Sequence, residues 1–427
     1  MKDLLIALKG RTKAIALAAV LISAGALFWF ANIAAVPFHP DESTEIYMSG
    51  DLKTLLRSPF GMAYPQGEKR RAHYRLVDAP LTRYAIGVGL ALAGEQPTKT
   101  DWDWSKTWQE NKRLGALPSE RQLLAARSAI AALAFASAVL IFAVGARLGG
   151  LPAGLLAFAL VLLNPLALLH ARRAMMEGTL LFGVALTLWA ITARNPKPWL
   201  VGLAFAIAVN AKPWGIGLLP AAALALAQDG SHIHKKALHR WGIALLTAML
   251  VTFALNPVFW KKPSQATLAA LRERFATTAS QQKEYSAVAP FMVPKGLKAK
   301  SAVVLGHLYF APLQFMETGN YKHELAPAIR IYEANPLNRW GRNITVGGLL
   351  FILTLLGFLA MMTEFRRPPV LATIIATLGM GSTITLAIPL NFQRYVVGLL
   401  PFVELSIAFG LALMLRRIRA NTEHKQA

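Results

Sequence analysis

Apolar runs of about twenty residues recur along this chain, separated by short basic stretches and two long polar segments. A helix needs about 20 apolar residues to cross roughly 30 Å of hydrocarbon. By that measure ten spans are predicted, at 13–35, 122–145, 151–170, 177–193, 199–211, 213–227, 241–259, 344–363, 369–390 and 395–415. The fifth and sixth are short and are parted at Lys212-Pro213, because proline cannot continue a helix. The run 79–94 is short and carries Arg83, so it is predicted to lie in the membrane interface rather than to cross. The expected fold is an all-α polytopic membrane protein, one membrane domain over 1–427. It carries a first outer segment at 36–121, with interfacial helices, and a second at 260–342.

Charge orients this layout. The N-terminal flank carries Lys9, Arg11 and Lys13, which places that end in the cytoplasm as an uncleaved first span. Alternation then makes 146–150, 194–198, 228–240, 364–368 and the C-terminal tail inner loops. They hold Arg147; Arg194 and Lys197; Lys235, Lys236 and Arg240; Arg366 and Arg367; and Arg416, Arg417 and Arg419. Every short inner loop is basic, as orientation in a membrane demands. Both termini are therefore expected inside, in a plasma (inner) membrane. Counting 79–94 as a span would turn the basic tail outward.

The formal net charge of +23 would suit nucleic acid. Its cations cluster at the ends of apolar runs instead of on one patch, so the lipid bilayer is the expected partner and no nucleic acid is. Mean hydropathy is +0.42 and cysteine is absent, which excludes thiol chemistry and disulfide staples. His232, His234 and His239 share an inner loop with no carboxylate or cysteine partner and read as a solvated basic loop.

Candidate chemistry gathers on the outer side. The stretch 37–51, PFHPDESTEIYMSGD, follows the first span directly, so Asp41 and Glu42 stand where that span leaves the bilayer. Carboxylates so close to hydrocarbon are costly and mark function; the same residues are also good first-turn chemistry for a short helix. Arg83, Arg127, Arg172, Arg173, Glu177, Lys212 and Arg394 all fall at outer ends of apolar runs. Arg172 and Arg173 are expected to snorkel as interfacial anchors, and Glu177 to compensate a helix dipole. Lys212, at a broken hairpin, is placed near substrate. Trp29 and Phe30 are expected as belt residues. Trp102, Trp104 and Trp108 either rest on the membrane, the favoured reading, or line an acceptor groove. His39 is read as a polar interface residue. One carboxylate to take a proton and several cations to stabilise an anion suit displacement of a lipid phosphate from a sugar.

Several motifs give this pattern a family. HPDE at 39–42, DAPLTRY at 78–84, AARSAIAAL at 125–133, NPLALLHARRAMMEGTLLF at 164–182, LNPVFWKKP at 255–263 and QRYVVGLLP at 393–401 occur in order along most of the chain. Together they resemble segments of the GT-C glycosyltransferases that use polyprenyl-phosphate sugars, above all the protein O-mannosyltransferase and aminoarabinose-transferase type. Ala79 departs from the proline of that pattern. The resemblance implies a GT-C-like bundle and an inverting displacement on the extracytoplasmic side. It makes Asp41 the base, Glu42 a supporting carboxylate, and Arg83, Arg127, Lys212 and Arg394 candidates for the lipid phosphate, with Arg172 and Glu177 as further donor-site candidates. It implies a polyprenyl-phosphate-linked sugar as donor. A protein or glycolipid acceptor is expected without the resemblance choosing between them, and with enough cations at the phosphate neither metal nor cofactor is expected. A transporter or flippase of lipid-linked sugars is the alternative. That would require inverted repeats and ionisable groups at mid-bilayer, whereas no repeat is found and the titratable residues collect at one face.

Overall fold

The computed structural model describes residues 2–65, 69–227, 233–317, 319 and 321–426, with side chains described outside 2–15, 233–235, 419 and 423–426. His232 and the side chains of Lys9, Arg11, Lys13, His234, Lys235 and Arg419 lie outside what is described. Every regular element among the described residues is helical.

The chain opens with α1 (Lys2–Ala31) and then a group of short helices, α2 (Pro40–Met48), α3 (Asp51–Arg57), α4 (Lys69–Val77), α5 (Leu81–Leu92) and α6 (Trp108–Arg113). The apolar body follows as α7 (Glu120–Gly149), α8 (Leu151–Leu163), α9 (Met176–Ile191), α10 (Pro198–Ala211), α11 (Leu219–Ala227) and α12 (Ile233–Leu255). A second polar group, α13 (Pro263–Val288), α14 (Gly296–Leu305) and α15 (Lys322–Ala334), precedes α16 (Ile344–Thr363), α17 (Pro368–Ala387) and α18 (Leu400–Gln426).

Local chemistry sets the boundaries. Ser119 and Gln122 form a capping box that starts α7, and Gly150, at φ +81°, reverses the chain into α8 with Pro152 in its first turn. Small residues then let helices approach closely: a Cβ at Gly357 would overlap the Ser406 carbonyl, and Gly410 faces Gly357 across the same α16–α18 seam. One large apolar core runs through α7, α8, α9, α10, α17 and α18.

Among the described residues, five helical stretches are long and apolar enough to cross a bilayer alone: Glu120–Gly149, Lys236–Leu255, Ile344–Thr363, Pro368–Ala387 and Gln393–Thr422. Shorter apolar helices occupy Ala16–Ala31, Leu81–Leu92, Leu151–Leu163, Met176–Ile191, Pro198–Ala211 and Pro213–Ala227. The break expected at Lys212-Pro213 is present, with a 3-10 turn over Pro213–Leu218. The span expected over 151–170 is not one helix. It stops at Leu163 before Asn164-Pro165 and resumes as a π turn over Ala167–Ala171, because the residue before proline avoids helical dihedrals.

Three aromatic assignments change. Trp29 is wholly buried and donates from Nε1 to the Ala131 carbonyl at 3.0 Å, so it joins α1 to α7 instead of sitting in a belt. Trp102 and Trp108 pack with Phe38 and Tyr321 in a cluster that joins the two polar segments. Only Trp104 of the three is well exposed. Burying indole area against aromatics stabilises more than leaving it at an interface.

Candidate active site

Helix α2 begins where α1 has just ended, and its first turn builds the site. His39 is the N-cap: its Nδ1 accepts from the Asp41 amide at 3.1 Å, while Glu42 Oε2 accepts from the His39 amide at 3.0 Å. Pro40 occupies the first helical position, where its missing N–H costs nothing. This turn sends two adjacent carboxylates in different directions. Glu42 points inward and is 0% exposed, whereas the Asp41 side chain is 31% exposed.

Glu42 meets Arg127 of α7 in a bidentate pair, Nε to Oε1 and Nη2 to Oε2, both 2.7 Å. The Ala174 amide also donates to Glu42 Oε1 at 2.9 Å, and Arg127 Nη1 donates to the Val36 carbonyl at 2.7 Å. The pair thus pins the end of α1, the start of α2, α7 and the turn before α9. Neither partner leaves a face for a substrate.

Asp41 meets a different arginine. Arg394, on the 3-10 turn Gln393–Leu399 before α18, donates from Nη1 to Asp41 Oδ2. Its Nε lies 3.1 Å from Glu317 Oε1, a charge contact without hydrogen-bond alignment. Glu317 Oε2 is 2.6 Å from His39 Nε2. Burial alone would raise the Asp41 carboxyl, but the charge of the Arg394 guanidinium holds it below the usual carboxylate range. Glu317 is also held low, its burial outweighed by the Arg394 charge and the hydrogen bond from His39.

Lys212 stands at the end of α10, 2.7 Å from Glu177 Oε1 at the start of α9. Its ammonium is 4.8 Å from the ring centroid of Trp214 and 5.2 Å from that of Tyr395. The Arg394 guanidinium lies over the other aromatic neighbours, 5.3 Å from Phe392 and 5.9 Å from Tyr395. Tyr395 therefore links the two cations, and Trp214 and Phe392 extend it into an aromatic wall. Glu177 Oε2 is buried with no partner among the described residues.

The other expected residues fall elsewhere. Arg83 donates to Asp51 at 3.2 Å and to the carbonyls of Tyr74 and Asp78 at 3.0 and 2.8 Å, and Asp51 also takes Arg75 and Arg71. That cluster ties α3, α4 and α5 together. Arg172 and Arg173 do not snorkel: both are 1% exposed. Arg172 donates to the Leu168 carbonyl at 2.6 Å and Arg173 to the carbonyls of Pro37 and Phe315 at 3.1 and 2.9 Å. Irregular turns around them leave carbonyls that need donors, and the guanidinium fork supplies several at once.

Sequence reasoning overlooked Glu317, Glu45 and the N-cap role of His39. Glu45 was detectable, one helical turn beyond Asp41 on α2. It is nearly buried, and burial followed by repulsion from Asp78 pushes its carboxyl up to about 8. Asp78 is raised in turn. Among the described residues no group of three His, Asp or Glu side chains is placed to hold a metal ion.

No protein-family model matches the sequence and no curated protein matches it. Solved structures do. ArnT from Cupriavidus metallidurans in the apo state matches over 94% of this chain and 60% of that one, with 14% identity and a TM-score of 0.53. The Archaeoglobus fulgidus oligosaccharyltransferase in complex with Zn and sulfate matches over 93% of this chain and 49% of that one, with 11% identity and a TM-score of 0.50. The ArnT structure bound to undecaprenyl phosphate gives 93%, 60%, 14% and 0.48. This chain spans between half and 60% of the length of those chains. At such identities the likeness is one of architecture: the chain shares the fold of these ArnT and oligosaccharyltransferase structures.

Proposed function

We propose that this chain is an integral-membrane glycosyltransferase that moves a sugar from a polyprenyl-phosphate donor to an acceptor hydroxyl on the extracytoplasmic face. The observation that carries this reading is Asp41. It is a partly open carboxylate at the outer end of the first span, held by Arg394, with Lys212 one aromatic wall away. Donor phosphate would sit between Arg394 and Lys212, whose charges stabilise the anion left behind. Arg394 takes Oδ2 of Asp41 and leaves Oδ1 to accept the proton of the attacking hydroxyl. The acceptor oxygen bonds to the anomeric carbon as the bond to the phosphate oxygen breaks, so the configuration inverts in one displacement. Glu42 and Arg127 hold the turn that presents Asp41, Glu177 orients Lys212, and Arg83 and Arg172 brace the surrounding helices.

Ten spans complete the reading: α1, α7, α8 with its π turn, α9, α10, α11 with its 3-10 turn, α12, α16, α17 and α18. Both termini then face the cytoplasm of a plasma (inner) membrane, and the segments 36–121 and 260–342 roof the site from outside. The acceptor is a protein or a glycolipid.

The test uses the full chain in nanodiscs with a panel of undecaprenyl- and dolichyl-phosphate sugars. Asp41→Asn is expected to lower kcat by about 10²–10⁴ while undecaprenyl phosphate still binds within a few-fold of wild type. Asp41→Asn with wild-type turnover would remove Asp41 as the base.

A further inference from the structure

We propose that Glu317 is a positioning residue of this site, fixing both groups that flank Asp41: the ring of His39 and the guanidinium of Arg394. The inference rests on the glycosyl-transfer reading for what Asp41 and Arg394 do. Its own basis is a closed circuit of contacts. The Asp41 amide donates to His39 Nδ1, so that nitrogen holds no proton and Nε2 carries it. Nε2–H then donates to Glu317 Oε2 at 2.6 Å. The second oxygen of Glu317 faces Arg394 Nε at 3.1 Å, and Arg394 Nη1 closes the circuit on Asp41 Oδ2.

The Glu317 side chain is 5% exposed, so it supports the site without meeting substrate. A strap between α14 and α15 delivers it. Gln393, the neighbour of Arg394, fastens that strap in both directions. Its amide donates to Gln314 Oε1 at 2.6 Å, its Oε1 accepts from the Gln314 amide at 2.8 Å, and its Nε2 donates to the Pro312 carbonyl at 2.9 Å. Arg173 holds the Phe315 carbonyl just before Glu317. The second polar segment thus contributes one side chain to a site otherwise built from the ends of spans.

The circuit has a mechanical consequence. Arg394, held at Nε by Glu317 and at Nη1 by Asp41, can offer its remaining Nη2 to donor phosphate without releasing Asp41 Oδ2. Without Glu317 the guanidinium is held by Asp41 alone and can turn, so neither group keeps its alignment.

The test is a double-mutant cycle on the full chain in nanodiscs. Glu317→Gln removes the charge, and His39→Asn keeps an N-cap acceptor but ends short of Glu317. Each single variant is expected to lose about 10²-fold in kcat, the scale of a misplaced catalytic group, with undecaprenyl phosphate Kd within about threefold of wild type. The double variant should be no worse than the weaker single one, because both cut the same circuit. Histidine side-chain NMR gives an activity-free readout: a downfield His39 Nε2–H in wild type that moves upfield in Glu317→Gln, whose neutral amide oxygen is a weaker acceptor. Wild-type kcat in Glu317→Gln, losses that multiply, or Kd changing in step with kcat would overturn the inference. If wild type transfers sugar from no donor, the glycosyl-transfer reading falls and the positioning of Arg394 for phosphate falls with it. A wild type that transfers sugar but shows an Nε2–H indifferent to Glu317→Gln overturns the Glu317 inference alone.

Discussion

Asp41 and Glu42 are neighbours in sequence with opposite surroundings, and the difference explains how each behaves. Glu42 is dry and fully paired with Arg127, so removing one partner leaves a buried charge uncompensated. Arg127→Ala is expected to cost about 3–5 kcal/mol in chemical denaturation, as measured for broken buried pairs, and more than the combined change of Glu42 and Arg127 to apolar residues. Glu45 gives a pH signature on the same helix. Its folded carboxyl is raised to about 8, so the folded chain binds a proton there that the unfolded chain releases at lower pH. Its contribution is present below the ordinary carboxylate range and is lost as pH rises towards 8. Thermal unfolding of Glu45→Gln should therefore gain on wild type progressively between pH 5 and 8; a constant gap would show that Glu45 does not titrate there. Arg172 and Arg173 mark where residue-level reading stops. A cation at a span end looks the same in sequence whether it reaches for headgroups or turns inward to loose carbonyls, and only the irregular turn at 164–175 decides.

Elements were legible wherever a run of apolar residues ended in a break with a chemical cause. The parted pair at Lys212-Pro213, the Gly149-Gly150 reversal, the bounds of α16 and the start of α17 all follow from such signals. The strap carrying Glu317 was not legible. It has no period, and its place is fixed by reciprocal bonds to Gln393, 79 positions away. Close helix contact can be tested at this scale. A side chain at Gly357 meets the Ser406 backbone, whereas one at Gly348, on the same helix, meets nothing within 4 Å. Gly357→Leu should lower the unfolding temperature by the equivalent of about 1–3 kcal/mol or more, the usual cost of overpacking, and Gly348→Leu should be near neutral. Equal effects would mean the α16–α18 seam is looser than these contacts require.

For the molecule as a whole, the proposed sidedness rests on where the cations lie, and the absence of cysteine makes it directly testable. Ser105→Cys, in the first polar segment, should react with an impermeant maleimide in intact cells. His239→Cys, before the apolar part of α12, should react only after permeabilisation. The reverse pattern would invert the topology and put the Asp41 site on the wrong face. The hydrogen bond between Asp41 and Arg394 joins residues 353 positions apart. During synthesis Asp41 is therefore made long before its counter-ion, and on the proposed topology the intervening spans are threaded into the bilayer before the two can meet. A chain halted before its final helix would carry a folded-looking scaffold and no working centre, which ties competence to completed insertion.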